Sequence, residues 1–483
     1  MRTGEFCALI AGSAYFATIA NARNVPSIIG QPLLSPQRKF VSLSTERRAV
    51  SNPLQRDRLR RRANSVEASL DNEETLYFIN ATIGTPAQSV RLHIDTGSSD
   101  LWLNTPDSTL CSDRSNPCDF AGTYVANDSS TYEYVGDWFN ISYVDGSGAS
   151  GDYVSDTITM GGSTLDRLQF GIGYVSSSSQ GILGIGYPSN EVQVGRAGKD
   201  PYDNLPAALV SAGQISRNAY SLWLNDLDAS TGSILFGGVD TEQYTGDLHT
   251  LPIQANGGVY SEFLITLTAL KLGDETIAED QALAVLLDSG SSLTYLPDSF
   301  VETIYERVDA QYDYDAGAAY VPCNLESNTT TLDFTFSSPT ITVDMGELVL
   351  DLVTSSGQRP KFSNGEDACL FGIAPAGDGT NVLGDTFLRS AYVVYDIDNN
   401  QISLAQTKFN ATASDVQEIP SGTDIPGATV VSNSAAATSG VVSSGSGSGG
   451  ASVDSGATTL ASSASTFTLL LFSLGFLTFA APF

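Results

Sequence analysis

Two stretches of this 483-residue chain set an aspartate in nearly the same surroundings. His93-Ile94-Asp95-Thr96-Gly97-Ser98-Ser99 is echoed by Leu286-Leu287-Asp288-Ser289-Gly290-Ser291-Ser292, 193 residues further on. In each, a hydroxyl residue, a glycine and two serines follow the aspartate. Glycine permits a tight turn and close approach by another backbone. The flanking hydroxyls and amides can hold the carboxylate rotamer by hydrogen bonds. Two such turns meeting across a twofold axis would bring their carboxylates to about 3 Å, where both cannot ionise freely. The pair would share a proton and titrate as one unit. Its charged member can act as a base on water while the protonated member donates to a carbonyl oxygen. That chemistry needs no metal, no nucleophilic side chain and no cofactor.

Matched turns require matched scaffolds. From about Glu73 to Phe409 the chain alternates in short runs rich in Val, Ile, Thr, Tyr and Phe, punctuated by Gly, Asn, Asp and Ser. Such a pattern predicts antiparallel β structure. Strands are expected at Thr75–Ile83, Val90–Ile94, Tyr153–Met160, Ser233–Phe236, Ser261–Leu272 and Ala391–Asp396. Helical signals are few, at Asn204–Ala212 and at Pro297–Ala310, where Asp298 or Ser299 can cap. The fold class is all-β with few short helices.

Three further motifs bear on the chemistry. Gln180-Gly181-Ile182-Leu183-Gly184 and Asn381-Val382-Leu383-Gly384-Asp385 are apolar pairs closed by glycine, a residue that within a strand often marks close backbone approach. The third, from Asn140 to Gly151, contains a formal GxGxxG. A dinucleotide loop leads into a helix, whereas Asp152–Met160 alternates like a strand, so nucleotide binding is set aside. His93 lies two residues before Asp95 on the same strand face. With no nucleophile turn to serve, it is expected to be a hydrogen-bonded structural histidine.

Taken together, these residues resemble the pepsin-like aspartic proteases, and more narrowly the fungal GPI-anchored yapsins, over roughly residues 75 to 409. The resemblance implies a bilobal, pseudo-twofold fold with a central cleft, an N-terminal lobe at 75–250 and a C-terminal lobe at 251–409. It implies that Asp95 and Asp288 are catalytic, that Thr96 and Ser289 bond across the lobe junction, and that Ser98 and Ser291 flank the carboxylates. Asn140–Gly151 becomes the flap over the substrate, with Tyr143, Asp145 and Gly146 near its tip. Trp102 would bond the Tyr143 hydroxyl. Many relatives have glycine where this chain has Val144, which bears on flap backbone geometry. The implied activity is endopeptidase cleavage of polypeptides at acid pH by a monomer. Yapsins imply a preference for basic residues, against which stands broad hydrophobic specificity. The rival class is an inactive protease-fold adhesin or receptor, which would have no need to keep both carboxylates and the flap tyrosine.

Processing signals bracket this region. Residues 1–22 read as a secretory signal. Residues 23–62 hold ten Lys/Arg against Glu46 and Asp57 and end in Arg60-Arg61-Arg62, the pattern of a basic propeptide with a kexin-type cleavage site. The remainder holds 12 Lys/Arg against 51 Asp/Glu, about −39 at neutral pH. Such charge opposes nucleic-acid binding, which needs cations for phosphate, and suits an acid milieu that relieves self-repulsion. Beyond the signal remain Cys111, Cys118, Cys323 and Cys369. Four cysteines allow three pairings, and the local choice is 111–118 with 323–369. Loop entropy makes these worth about 2.5 and about 4 kcal/mol. With no C-x-x-C and only two histidines, no metal site is expected.

After Asn410 the chain turns Ser/Thr/Gly-rich, which predicts a flexible stalk over 410–455. The apolar, uncharged Phe467–Phe483 then reads as the end of a GPI-attachment signal spanning 456–483. Ser455 is the chosen attachment residue, with Gly456 and Asp454 as close rivals. Five sequons, at Asn80, Asn127, Asn140, Asn328 and Asn410, fit a secreted glycoprotein at the outer plasma membrane or cell wall.

Overall fold

The computed structural model describes residues 39–50, 74–143, 147–229, 231–314, 316–352 and 358–440. In the first half the strands are β1 (Val41–Val50), β2 (Glu74–Ile83), β3 (Gln88–Asp95), β4 (Leu101–Asn104), β5 (Glu133–Ser142) and β6 (Gly148–Met160). They are followed by β7 (Ser163–Ser176), β8 (Gly181–Gly184), β9 (Ala219–Trp223), β10 (Thr231–Phe236), β11 (Gly238–Asp240) and β12 (Tyr244–Pro252). Alternation explains β5, whose Phe139 and Ile141 are buried while Asn140 between them faces water. β3 is polar outward only at its start and buried from Leu92 to Asp95, as a strand must be when layers cover both faces.

One fourteen-strand sheet joins the halves. Its order is Ala428–Val430, β12, Gln401–Thr407, Ala391–Asp396, β9, β10, β1, β2, β3, β8, β4, β7, β6, β5. Three smaller sheets build the second half, one of them carrying the Leu283–Leu287 strand beside Leu264–Leu267 and Val382–Leu383. The architecture is therefore the expected bilobal, mostly β fold, and the 250/251 boundary falls inside β12 rather than between elements. Between the halves the rings of Tyr220 and Tyr395 stack at 5.0 Å, with Phe263 edge-on to Tyr395 at 4.7 Å. All three are fully buried, and each such side chain is worth about 1.5–3 kcal/mol.

Several expectations change. Ser261–Leu272 is two strands, Leu264–Leu267 and Ala269–Leu272, because the chain passes at Thr268 from one sheet to another. The expected helices stand at Leu205–Ser211 and Asp298–Val308. The second has Pro297 at its cap and no side-chain cap bond, since Asp298 Oδ1 accepts the Gly377 N–H instead (2.9 Å). Residues 411–440 are not a free stalk. Val416–Glu418 pairs with β11, Ala428–Val430 pairs with β12, and Ile419 and Ile425 are buried. Finally, β1 lies inside the stretch assigned to the propeptide, yet it is paired on both sides, to β10 and β2, with Val41, Leu43 and Thr45 buried.

Candidate active site

Asp95 ends β3, in register with Gly184 of β8. Asp288 follows the Leu283–Leu287 strand, and its N–H donates to Leu383 C=O (3.2 Å). Each aspartate is gripped by its own turn in the same way. The Gly97 N–H and Ser98 hydroxyl donate to Asp95 Oδ1 and Oδ2 at 2.9 and 2.6 Å. The Gly290 N–H and Ser291 hydroxyl do so for Asp288 at 2.8 and 2.7 Å.

The turns also grip each other. Thr96 Oγ1 accepts the Ser289 N–H (2.9 Å) and donates to Leu287 C=O (3.0 Å). Ser289 Oγ accepts the Thr96 N–H (3.2 Å) and donates to Ile94 C=O (3.1 Å). Four bonds thus cross between the halves in a buried environment, where leaving any one group unpaired is costly. A Cβ on Gly97 would strike the Asp288 carboxylate. The Cβ position of Gly290 lies within 2.9 Å of both inner oxygens, Asp95 Oδ1 and Asp288 Oδ1. The two carboxylates therefore share one small space, which only glycines at these positions leave open.

Behind each turn runs one of the glycine-closed apolar pairs. At Gly184 a methyl would sit 2.6 Å from the backbone nitrogens of Ser99 and Asp100, and at Gly384 it would collide with the Ser291 and Leu293 carbonyls. Over the first turn, the Trp102 indole N–H donates to the buried Tyr143 hydroxyl (2.7 Å). Tyr143 N–H closes the β5–β6 hairpin onto Ser147 C=O (2.8 Å). Asp145 and Gly146 lie outside the described residues, as does Ser455. The GxGxxG stretch runs into β6 and not into a helix.

Both local disulfides are formed, Cys111–Cys118 and Cys323–Cys369. Asn80, Asn127, Asn140, Asn328 and Asn410 are all exposed. His93 is buried beside Phe78, ring centroids 5.8 Å apart.

Sequence reasoning missed a buried layer beside the β5–β6 hairpin. Asp100 is fully buried and accepts three donors: the Tyr153 hydroxyl (2.6 Å), the Val192 N–H (2.8 Å) and the Tyr202 hydroxyl (3.0 Å). Burial raises its pKa even so, the three bonds pulling the other way. Glu191 is pushed up to about 10 by burial, offset in part by the Tyr202 N–H and reinforced by Asp100 and Asp203. It is therefore a neutral acid inside the first half. Arg196, in the neighbouring helix Val192–Ala197, donates to Asn140 C=O (2.6 Å), and Lys199, just past the end of that helix, lies 3.8 Å over the Trp138 ring. These contacts tie the helix and its C-terminal end to β5. Asp100 stood in view, two residues past Ser98 in the first motif; Glu191 carries no comparable signal.

The family described as eukaryotic aspartyl protease matches residues 76–407. Probable aspartic-type endopeptidase opsB of Aspergillus oryzae is 59% identical over 401 residues, 81% of each chain. Secreted aspartic protease 3 of Candida albicans is 39% identical over 363 residues, 73% of this chain and 84% of the relative. An aspartic proteinase structure from Irpex lacteus aligns at a TM-score of 0.57 and 22% identity, covering 77% of this chain and all of that one, a likeness of fold. Among the described residues, no helix is long and apolar enough to cross a membrane.

Proposed function

Because the chain belongs to the eukaryotic aspartyl protease family and is an aspartic-type endopeptidase, we propose that Asp95 and Asp288 are its catalytic pair. They hold one proton between them. The ionised carboxylate takes a proton from a water molecule as its oxygen attacks the scissile carbonyl carbon, and the protonated carboxyl donates to the carbonyl oxygen. As the tetrahedral intermediate collapses, the C–N bond breaks, the leaving nitrogen takes a proton from the carboxyl that received one from water, and a hydroxyl of the intermediate returns its proton to the other carboxylate. Tyr143, held by Trp102, covers the cleft and helps exclude water once substrate is bound. The observation that supports this best is the single space shared by the two carboxylates at Gly290.

The chain is made as a secreted zymogen: signal 1–22, propeptide 23–62 released after Arg60-Arg61-Arg62, a stalk confined to the chain beyond residue 440 and a GPI signal after it, with Ser455 as attachment residue. A relative named as a secreted aspartic protease and five exposed sequon asparagines support that route.

The deciding experiment expresses the zymogen, activates it in acid and follows cleavage of an unfolded polypeptide by wild type, Asp95→Asn and Asp288→Asn. Pepstatin-sensitive cleavage lost in both variants is the expected result. Full pepstatin-sensitive cleavage by Asp95→Asn would defeat the proposal. A peptide-library profile of the same preparation separates basic from hydrophobic preference.

A further inference from the structure

Each aspartate-bearing strand has a neighbour along the edge that faces its glycine-closed pair. β8 covers β3 from Leu92 to Asp95, and Val382–Leu383 covers Leu286 and Leu287. Both covers are too short to reach the earlier half of the edge. In the first half of the chain the gap is filled from an internal loop: the Arg91 N–H, four residues before Asp95, donates to Ala121 C=O (2.8 Å). Four residues before Asp288, the Ala284 N–H donates to Ser439 C=O (2.9 Å). The Ser439 and Thr438 N–H groups return to Ala282 C=O (3.2 and 2.8 Å), making a parallel bridge at Leu283. The same place, counted from each aspartate, is thus closed once from within the fold and once by a segment beyond the family-matched region 76–407.

That segment is fastened along its whole described course. Asp240 receives the Ser414 hydroxyl (2.7 Å) and the Asp415 N–H (2.8 Å). Arg217, itself buried and 3.6 Å from Asp396, donates to Gly422 and Asp424 carbonyls at 2.5 and 3.0 Å. Further on, Val431 and Ala437 N–H groups bond Thr250 C=O (3.0 Å) and Gln254 Oε1 (2.9 Å).

We propose that residues 411–440 are a strap integral to the catalytic body, and that its last residues are positioning residues for Asp288, acting through the Leu283–Leu287 strand. An open edge at Ala282 and Ala284 would let that strand shift against its neighbours. A carboxylate displaced by a fraction of an ångström loses its alignment with the other half of the pair. The catalytic part of this rests on the role proposed above for Asp288; the docking of the strap does not.

The test uses the full chain carrying Ser439→Pro, which removes the N–H bonded to Ala282, or the milder Gly440→Ala. Gly440 has φ +77°, and its Cβ would stand 2.8 Å from Ala284 C=O. Hydrogen exchange at the Ala284 amide should accelerate at least about tenfold. In the same proteins kcat should fall about tenfold to a hundredfold with KM nearly unchanged, as for a misplaced reacting group. The pH–rate profile should also shift. Exchange unchanged in both variants would show that the strap does not close this edge. Faster exchange with unaltered kcat and pH profile would reduce it to a structural brace and overturn the positioning role. Because exchange is read without turnover, a wild type lacking protease activity would sink the catalytic assignment while leaving the docking measurable.

Discussion

The two halves deliver the same carboxylate by different means. In the first half Asp95 ends an eight-residue strand, β3, flanked by β2 and β8 within the large sheet. A short disulfide, seven residues in separation, lies three residues before the loop carbonyl that completes its edge. In the second half Asp288 follows a five-residue strand whose edge is shared by a two-residue strand and the strap. Its disulfide spans 46 residues. One step past the turns the resemblance ends: Asp100 is a buried carboxylate in a three-donor cage, and the corresponding position, 193 further on, is buried Leu293. Symmetry is thus kept at the paired turns and relaxed within five residues of the aspartates. The turns match bond for bond, while what holds each turn in place differs.

The strongest challenge to this contrast is at the turns themselves. Asp95→Asn and Asp288→Asn should each lower kcat by about a thousandfold or more, and by similar factors, since each removes half of one proton-sharing unit. A loss much smaller on one side would make the pair chemically unequal. The disulfides should be unequal in stability. Replacing Cys323 and Cys369 with alanine should cost about 4 kcal/mol in urea titration, against about 2.5 for Cys111 and Cys118, because the longer loop gains more entropy when freed. Equal costs would place the difference between the halves elsewhere. The clasp should again be symmetric: Thr96→Val and Ser289→Ala each leave one N–H and one C=O without a side-chain partner, costing about 2–3 kcal/mol.

The smallest effect concerns pH. Glu191, raised from 4.5 to about 10, keeps its proton in the fold where the unfolded chain has lost it. Its contribution is fully present below pH 4.5 and drains away as pH rises toward 10. The thermal midpoint should therefore fall between acid and neutrality. Glu191→Gln should flatten that fall by several degrees; an unflattened curve would remove Glu191 as its source.

Much of the site was legible because its signals are local. Turn chemistry is written in consecutive residues, so Asp95, Asp288 and the glycine-closed pairs could be read directly, as could a cysteine pair seven apart. The errors arose where partners are distant. Ser261–Leu272 reads as one apolar run, yet its apolar phase passes from Phe263, Ile265 and Leu267 to Leu270 and Leu272 across Thr268; periodicity reports the pleat, not which sheet a strand joins, so the shift does not by itself reveal the change of partner. Asp298 looked like a helix cap, but its oxygen is taken by Gly377, 79 residues away. The strap's composition reads as stalk because it cannot build a core of its own. It does not build one: it lends Ile419 and Ile425 to an existing core and otherwise holds on by hydrogen bonds made mostly through its own backbone, which composition does not register. Glu191 is a surface residue by type and becomes a neutral acid only through its surroundings.

The place where the strap ends has a mechanical meaning. If the protein is held at a surface by its tail, as proposed above, tension in the chain beyond residue 440 would enter the folded body at Ser439 and Gly440. That point lies on the strand that leads to Asp288, about 17 Å of extended chain from it. The matching edge near Asp95 is closed by an internal loop that a pull on the tail does not reach directly. Load on the tether would thus act on one wall of the cleft before the other.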